Sequence, residues 1–154
     1  MNMPAVALRG LTILPGMIAH FDISRERSLR AVEEAMEQDQ KIYLVTQRNV
    51  DSEDPTQEDL YQMGIVADIK QVVRLQNDVV RILVDGISRA ALFGFTGNEK
   101  YLEAEICYCD SNADSLPEDL REAMLLGVRE AFHRYAAVVG KISKELIRQI
   151  DQYE

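Results

Sequence analysis

The stretch Gly64-Ile65-Val66-Ala67-Asp68-Ile69-Lys70-Gln71-Val72-Val73-Arg74-Leu75-Gln76-Asn77-Asp78-Val79-Val80-Arg81-Ile82-Leu83-Val84-Asp85-Gly86 decides the fold. It is dense in β-branched residues, whose stiff side chains suit a pleated sheet better than a helix. Ile65 to Leu75 reads as one long strand and Val79 to Val84 as its return. Between them Gln76-Asn77-Asp78 supplies turn chemistry, since Asn and Asp tolerate left-handed backbone. Asp85-Gly86 reads as a bend in which Gly86 takes a positive φ, a conformation that glycine adopts without steric cost.

Outward from this hairpin the same period continues. Ala5 to Arg9, Phe21 to Ile23, Ile42 to Thr46, Ala90 to Phe95 and Tyr101 to Cys109 read as strands, and residues 49–59 as a polar loop. One helix interrupts them. Leu29, Val32 and Met36 recur at helical spacing among Glu33, Glu34 and Glu37, with Ser24 placed as the N-cap, which predicts a helix over 25–38. About six short strands at this spacing close into a barrel or sandwich.

From about residue 115 the period changes. Ser115-Leu116-Pro117-Glu118 has the spacing of a capping box. Leu116, Leu120, Met124, Val128, Ala131 and Tyr135 form a helical stripe, Gly140 breaks it, and Ser143 caps a further pattern of Leu146, Ile147 and Ile150. The sequence stops at Glu154 inside that pattern, so residues 113–154 are expected to be the start of a larger, truncated helical subdomain behind a β-domain over 1–112. The expected class is α+β.

Composition removes several functions. The net charge is −9, and phosphate backbones are bound chiefly by Lys and Arg, so nucleic acid and anionic membranes are disfavoured as partners. There is no Trp and few aromatics to stack bases. No run of about 18 apolar residues is present to span a bilayer, and Met1 to Gly10 lacks the pattern of a secretory signal. Cys107 and Cys109, two apart, share a face of a strand and are poorly placed for a disulfide. Their use points to a reducing compartment, hence the cytoplasm.

The sequence carries no catalytic constellation. The only Gly-Lys pair, Gly140-Lys141, is followed by Ile142, and Tyr135 stands where a phosphate-binding loop has its first Gly. Ser143 and Lys144 are adjacent, so on a helix they diverge by about 100°. His20 reads as a surface-loop residue and His133 as lying on the solvent side of a helix, with no ligand cluster about either. Cys107 and Cys109 give two ligands, too few for a closed tetrahedral site. The run Asp51-Ser52-Glu53-Asp54 reads as a solvated loop. No cofactor and no metal are expected.

Binding is a better match to what remains. A surface that accepts varied chains needs exposed, adaptable apolar groups. Leu14-Pro15-Gly16-Met17-Ile18 is unusually apolar for a connection, so Leu14, Pro15, Met17 and Ile18 are candidate contacts; the other reading is that the loop plugs one end of the barrel. Phe93 and Phe95 alternate with Leu92 and are further candidates, although core burial is the leading expectation for Phe93. Gly64, Gly86 and Arg89 are assigned to structure, with Arg89 tying the bend at Asp85-Gly86 to a carboxylate or carbonyls. A free sheet edge would be a second route, through main-chain hydrogen bonds to an extended peptide.

Several motifs occur in one order: Pro4-Ala5-Val6-Ala7-Leu8-Arg9-Gly10; Ile13-Leu14-Pro15-Gly16-Met17; Ser24-Arg25-Glu26-Arg27-Ser28-Leu29-Arg30-Ala31; Tyr61-Gln62-Met63-Gly64-Ile65-Val66-Ala67; Val80-Arg81-Ile82-Leu83-Val84-Asp85-Gly86-Ile87-Ser88-Arg89-Ala90; and Tyr101-Leu102-Glu103-Ala104-Glu105-Ile106. In order and spacing they resemble the N-terminal domain of Lon-type ATP-dependent proteases. The sequence departs from that pattern at Gly10, where many members have an acidic residue, and at His20, near a common Pro. The resemblance implies a small PUA-like β-barrel with one inserted helix and a helical subdomain after it. It also implies recognition of unfolded or tagged proteins and a part in assembly: a dimer of this chain, a hexamer of the parent. The chain would be non-catalytic by itself; the parent would be an ATP-dependent serine endopeptidase. The alternatives are a stand-alone PUA-like module binding RNA or a small molecule, and a purely dimerising module.

Overall fold

The computed structural model describes residues 1–109 and 116–152. The chain divides into two compact units, Met1–Asp110 and Ser111–Glu154. The first holds β1 (Asn2–Leu8), β2 (Ile18–Ile23), α1 (Glu26–Glu37), β3 (Lys41–Thr46), a 3₁₀ turn (Gln57–Asp59), β4 (Met63–Arg74), β5 (Val80–Phe95) and β6 (Glu103–Tyr108). The second holds α2 (Glu118–Val139) and α3 (Lys144–Asp151).

The sheet runs β2-β5-β4-β3-β1-β6, and β5 also pairs with β6. Five strands therefore close into a ring, and β2 extends it along the first half of β5. One strand can do both because β5 is 16 residues long. Its residues Val80–Asp85 pair with β2 and Ala90–Phe95 with β6. The sequence divides this strand at Asp85-Gly86; the structure does not. Gly86 is not among the positive-φ residues, and the expected bend is instead a β-bulge in which Val66 pairs with Ser88, Ala67 with Gly86, and Ile87 is the extra residue. The hairpin tip follows the sequence, with Asn77 and Asp78 at φ of 58° and 56°.

Two cores result. Inside the ring lie Met3, Ala5, Ala7, Tyr43, Val45, Val66, Ala90, Leu92, Ala104 and Ile106, drawn from all five ring strands. Four of these are Ala, as a narrow five-stranded lumen requires. Outside the ring, α1 lays Ala31, Val32 and Ala35 against Val6, Leu8, Ile42 and Leu44. β1 and β3 are thus buried on both faces, which is why they read as unbroken apolar runs. Met36 does not join this core; it is exposed, one position beyond buried Ala35. Nor is Ser24 the cap: Arg25 occupies that position without a side-chain cap bond. The Arg25 guanidinium instead donates to Gln47 Oε1 (2.8 Å) and to the Ser52 carbonyl (2.8 Å), holding the 49–59 loop to the start of α1.

Ion pairs follow the register. Asp22 faces Arg81 across β2 and β5, and Arg81 donates to both carboxylate oxygens at 2.7 and 2.8 Å. That bond holds the Asp22 carboxyl below its usual range. His20 lies on β2 and is exposed, rather than in a loop. In the helical unit, Ser143 caps α3 by accepting from the Leu146 amide (3.2 Å), and Gly140 ends α2 at a φ of 65°. His133 meets Asp151 at 2.8 Å. Pro117 is the N-cap of α2; Ser115, where the capping box is expected, lies outside the described residues.

Candidate functional site

The connection from β1 to β2 is not a free loop. Met17 donates to the Leu14 carbonyl (3.1 Å) across Pro15 and Gly16, and Gly16 has a φ of 76°. Pro followed by a positive-φ Gly is the chemistry of a type II turn. The turn is sewn to β5 by Gly16 N–H to the Gly86 carbonyl (2.7 Å) and Gly86 N–H to the Met17 carbonyl (3.0 Å). Its other end is held by the Thr46 hydroxyl, which donates to the Leu11 carbonyl (2.8 Å). A Cβ on Gly86 would fall 2.4 Å from Leu14 O and 3.0 Å from Ile65 Cδ1. Glycine is required there by close approach, not by φ.

This architecture divides the loop's side chains. Ile13 is 5% exposed and plugs the outer core. Leu14 is 59% and Ile18 67% exposed, and Pro15 and Met17 also face outward. Plug and surface are both present, on different residues of one turn.

Beside Leu14 the outer face of the ring forms a groove of about 510 Å³ over Ile13, Leu44, Thr46, Arg48, Tyr61, Met63, Gly64 and Arg89. The registers explain the grouping. Arg89 pairs with Ile65 and Ile65 with Leu44, one row across β5, β4 and β3. Tyr61 and Met63 precede Ile65 at the two-residue spacing that keeps side chains on one face. Arg48 donates through Nε to the Leu60 carbonyl (2.9 Å) and lies 4.7 Å from the centre of the Tyr61 ring. A second hollow continues past Tyr61 and Gln62 to Leu92 and Phe93.

Phe93 departs from expectation. It is 64% exposed, whereas Phe95 packs against the inner core. In a regular strand the two would share a face. A bulge separates them: Leu92 pairs with Ile106 and Gly94 with Glu105, so Phe93 is the extra residue. Gln57 Nε2 donates to its carbonyl at 2.9 Å. Both bulges of β5 thus put a large apolar residue, Ile87 or Phe93, on the surface.

The residues assigned to structure divide. Gly64 lies against the inner core: a Cβ would come within 2.5 Å of the Tyr43 hydroxyl and 2.6 Å of Leu44 O. Tyr43 donates to the Ala90 carbonyl (3.1 Å), and burial pushes its phenol well above the usual range. Arg89 is exposed, and among the described residues its side chain has neither a hydrogen bond nor an ion pair. It ties no bend. Tyr61, Met63 and Ile87 stand out in the sequence only as members of the ordered motifs, and Arg48 belongs to none of them. The apolar alternation of Tyr61 and Met63 beyond the polar loop was the available signal.

The site is apolar with guanidinium groups at its margin. Among the described residues no group of three His, Cys, Asp or Glu is placed to hold a metal. Such a surface offers apolar contact with guanidinium groups beside it.

The first unit is thus a small closed barrel with one inserted helix and a pinned apolar turn, and the second holds two helices. The family profile described as the ATP-dependent protease La (LON) substrate-binding domain matches residues 2–154, and the chain belongs to that family. It is 38% identical over 150 residues to a Lon protease of Lachnoclostridium phytofermentans, covering 97% of this chain and 18% of that one. It is 36% identical to a Lon protease of Brevibacillus choshinensis, covering 99% and 19%. The chain thus spans about a fifth of the length of these relatives. In fold it is similar to the N-terminal domain of a Mycobacterium avium complex Lon protease, with a TM-score of 0.73 at 16% identity, covering 99% of this chain and 76% of that one. A Lon N-terminal domain protein from Xanthomonas campestris aligns with a TM-score of 0.59 at 16% identity, covering 85% and 72%.

Proposed function

We propose that the chain recognises unfolded or tagged protein segments for a Lon-type ATP-dependent serine protease and is itself non-catalytic. The observation that supports this best is the surface just described. Leu14, Pro15, Met17, Ile18, Ile87, Tyr61, Met63 and Phe93 expose apolar groups around a turn and two bulges whose backbones are pinned. Exposed apolar patches of this kind mark interaction sites. Met17 and Met63 add side chains that adapt to varied partners. Family membership supplies the parent class.

In this reading residues 1–112 form the recognition barrel and 113–154 the start of a helical subdomain that leads toward the motor. The chain self-associates weakly as a dimer and the parent as a hexamer. Work in the cytoplasm keeps Cys107 and Cys109 as free thiols. Among the described residues no helix is long and apolar enough to cross a membrane.

The test is fluorescence anisotropy of a permanently unfolded, labelled polypeptide titrated with the 154-residue chain. Saturable binding at micromolar concentration is expected. A variant carrying Leu14→Ser, Ile18→Ser and Phe93→Ser should lose about tenfold or more, since each buried side chain contributes at least about 1.5 kcal/mol on full burial and part of that on docking. Unchanged binding by this variant refutes the assigned surface. No binding of the unsubstituted 154-residue chain at high micromolar concentration refutes the function.

A further inference from the structure

Resting on that reading, we infer that the groove selects apolar segments that carry acidic side chains at their flanks. The chain as a whole is strongly acidic, with a net charge of −9. Its apolar groove is the reverse: the charged side chains lining it are Arg48 and Arg89, and no carboxylate does so. An acidic protein that lines a binding groove with cations alone has a local field opposite to its overall one.

Both guanidinium groups are available to a ligand. Arg89 is exposed on β5, and among the described residues its side chain has no hydrogen bond or ion pair. Arg48 uses its Nε on the Leu60 carbonyl and its face on Tyr61, and among the described residues neither of its Nη groups has a partner. A guanidinium so held is pre-oriented, and its fork matches a carboxylate with two parallel hydrogen bonds. Lysine in the same places would offer only point charges.

Geometry sets the spacing. Arg89 and Leu44 lie two strands apart in one row, and Arg48 lies four residues beyond Leu44. At about 4.8 Å between strands and about 3.3 Å per residue, the two Arg backbones are roughly 16 Å apart, the length of about five extended residues. Between them Leu14, Tyr61 and Met63 offer apolar contact. The favoured occupant is an extended segment of about four or five apolar residues with Asp or Glu on either side.

Three labelled, C-terminally amidated peptides with the same Leu/Phe/Tyr core and Asp, Gln or Lys flanks test this on the 154-residue chain. The Asp-flanked peptide should bind about fivefold more tightly than the Gln-flanked one in low salt, from two exposed ion pairs. The Lys-flanked peptide should bind more weakly still. The preference should shrink as salt shortens the screening length. Arg89→Gln should roughly halve the free-energy preference and Arg89→Glu abolish it, read as the ratio of Asp-flanked to Gln-flanked affinity within each variant. Equal affinity for all three peptides, or a preference unchanged in Arg89→Glu, overturns the charge inference while the groove stands. If the Gln-flanked peptide also binds Leu14→Ser and Met63→Ser chains undiminished, the groove itself is wrong, which is the separate failure of the functional reading.

Discussion

Replacing Gly86 with Ala tests the turn that carries Leu14, Pro15 and Met17. The new Cβ would fall 2.4 Å from Leu14 O, 3.0 Å from Ile65 Cδ1 and 3.2 Å from Ile13 Cγ2. A side chain can rotate away, but the carbonyl of Leu14 is backbone, so the turn must move. Overpacking of this kind costs about 1–3 kcal/mol. Moving the turn also strains or breaks the two hydrogen bonds between Gly86 and residues 16 and 17, each contributing about 1 kcal/mol net. The total is about 2–4 kcal/mol. That is a large part of a domain's usual margin and lowers Tm by roughly 5–15 °C at this size. Urea titration followed by circular dichroism measures it, and anisotropy with the unfolded polypeptide should show weaker binding under conditions where the variant is fully folded. A change below about 0.5 kcal/mol with binding intact would refute the reasoning: the turn would then not be fixed by the absence of a side chain at 86.

Phe93→Ser should leave stability within about 0.5 kcal/mol, because a bulged, exposed ring contributes little to the core, yet weaken polypeptide binding; a core phenylalanine would cost about 3–5 kcal/mol, and a melting curve distinguishes the two. Tyr43→Phe removes a buried bond to the Ala90 carbonyl and should cost about 1 kcal/mol at neutral pH. Burial raises the Tyr43 phenol, so the folded state keeps a proton that the unfolded chain releases above about pH 10; stability should fall as pH rises beyond that point, less steeply in Tyr43→Phe, as urea midpoints at pH 9 and 11 will show. Asp68 has the opposite sign. Its bond from Lys41, then that from Lys70, lowers its pKa, so its contribution is present at neutral pH and lost on acidification below about pH 4. Asp68→Asn should be less stable at pH 7 and indistinguishable near pH 2 in the same measurement.

The strands were legible because β-branched runs and the Gln76-Asn77-Asp78 turn carry their own local physics. Ring closure was legible only as a class. Its particular form depends on β5 serving two partners, and a bulge at Ile87 can present itself in sequence as a bend at Asp85-Gly86. The same limit governed Phe93. Alternation tells which residues share a face only while the register is unbroken, and one inserted residue reverses it. The reason for glycine at 64 and 86 is not legible in sequence, since close approach of distant backbone leaves no local trace. Arg89 follows what reads as a bend, where a tie to the fold is expected; on a continuous strand it faces out. The Leu14 to Ile18 loop was noticed from its apolar composition alone. The division between buried Ile13 and exposed Leu14 required the hydrogen bonds to β5.

The most direct test of the central claim is an amide chemical-shift map of the isotope-labelled chain, titrated with an unlabelled unfolded polypeptide. The account predicts perturbations concentrated on residues 12–18, 61–64 and 86–93, saturating together. Perturbations confined to α2 and α3, to the hairpin tip around residues 72–80, or to the outer edge of β2 would contradict it.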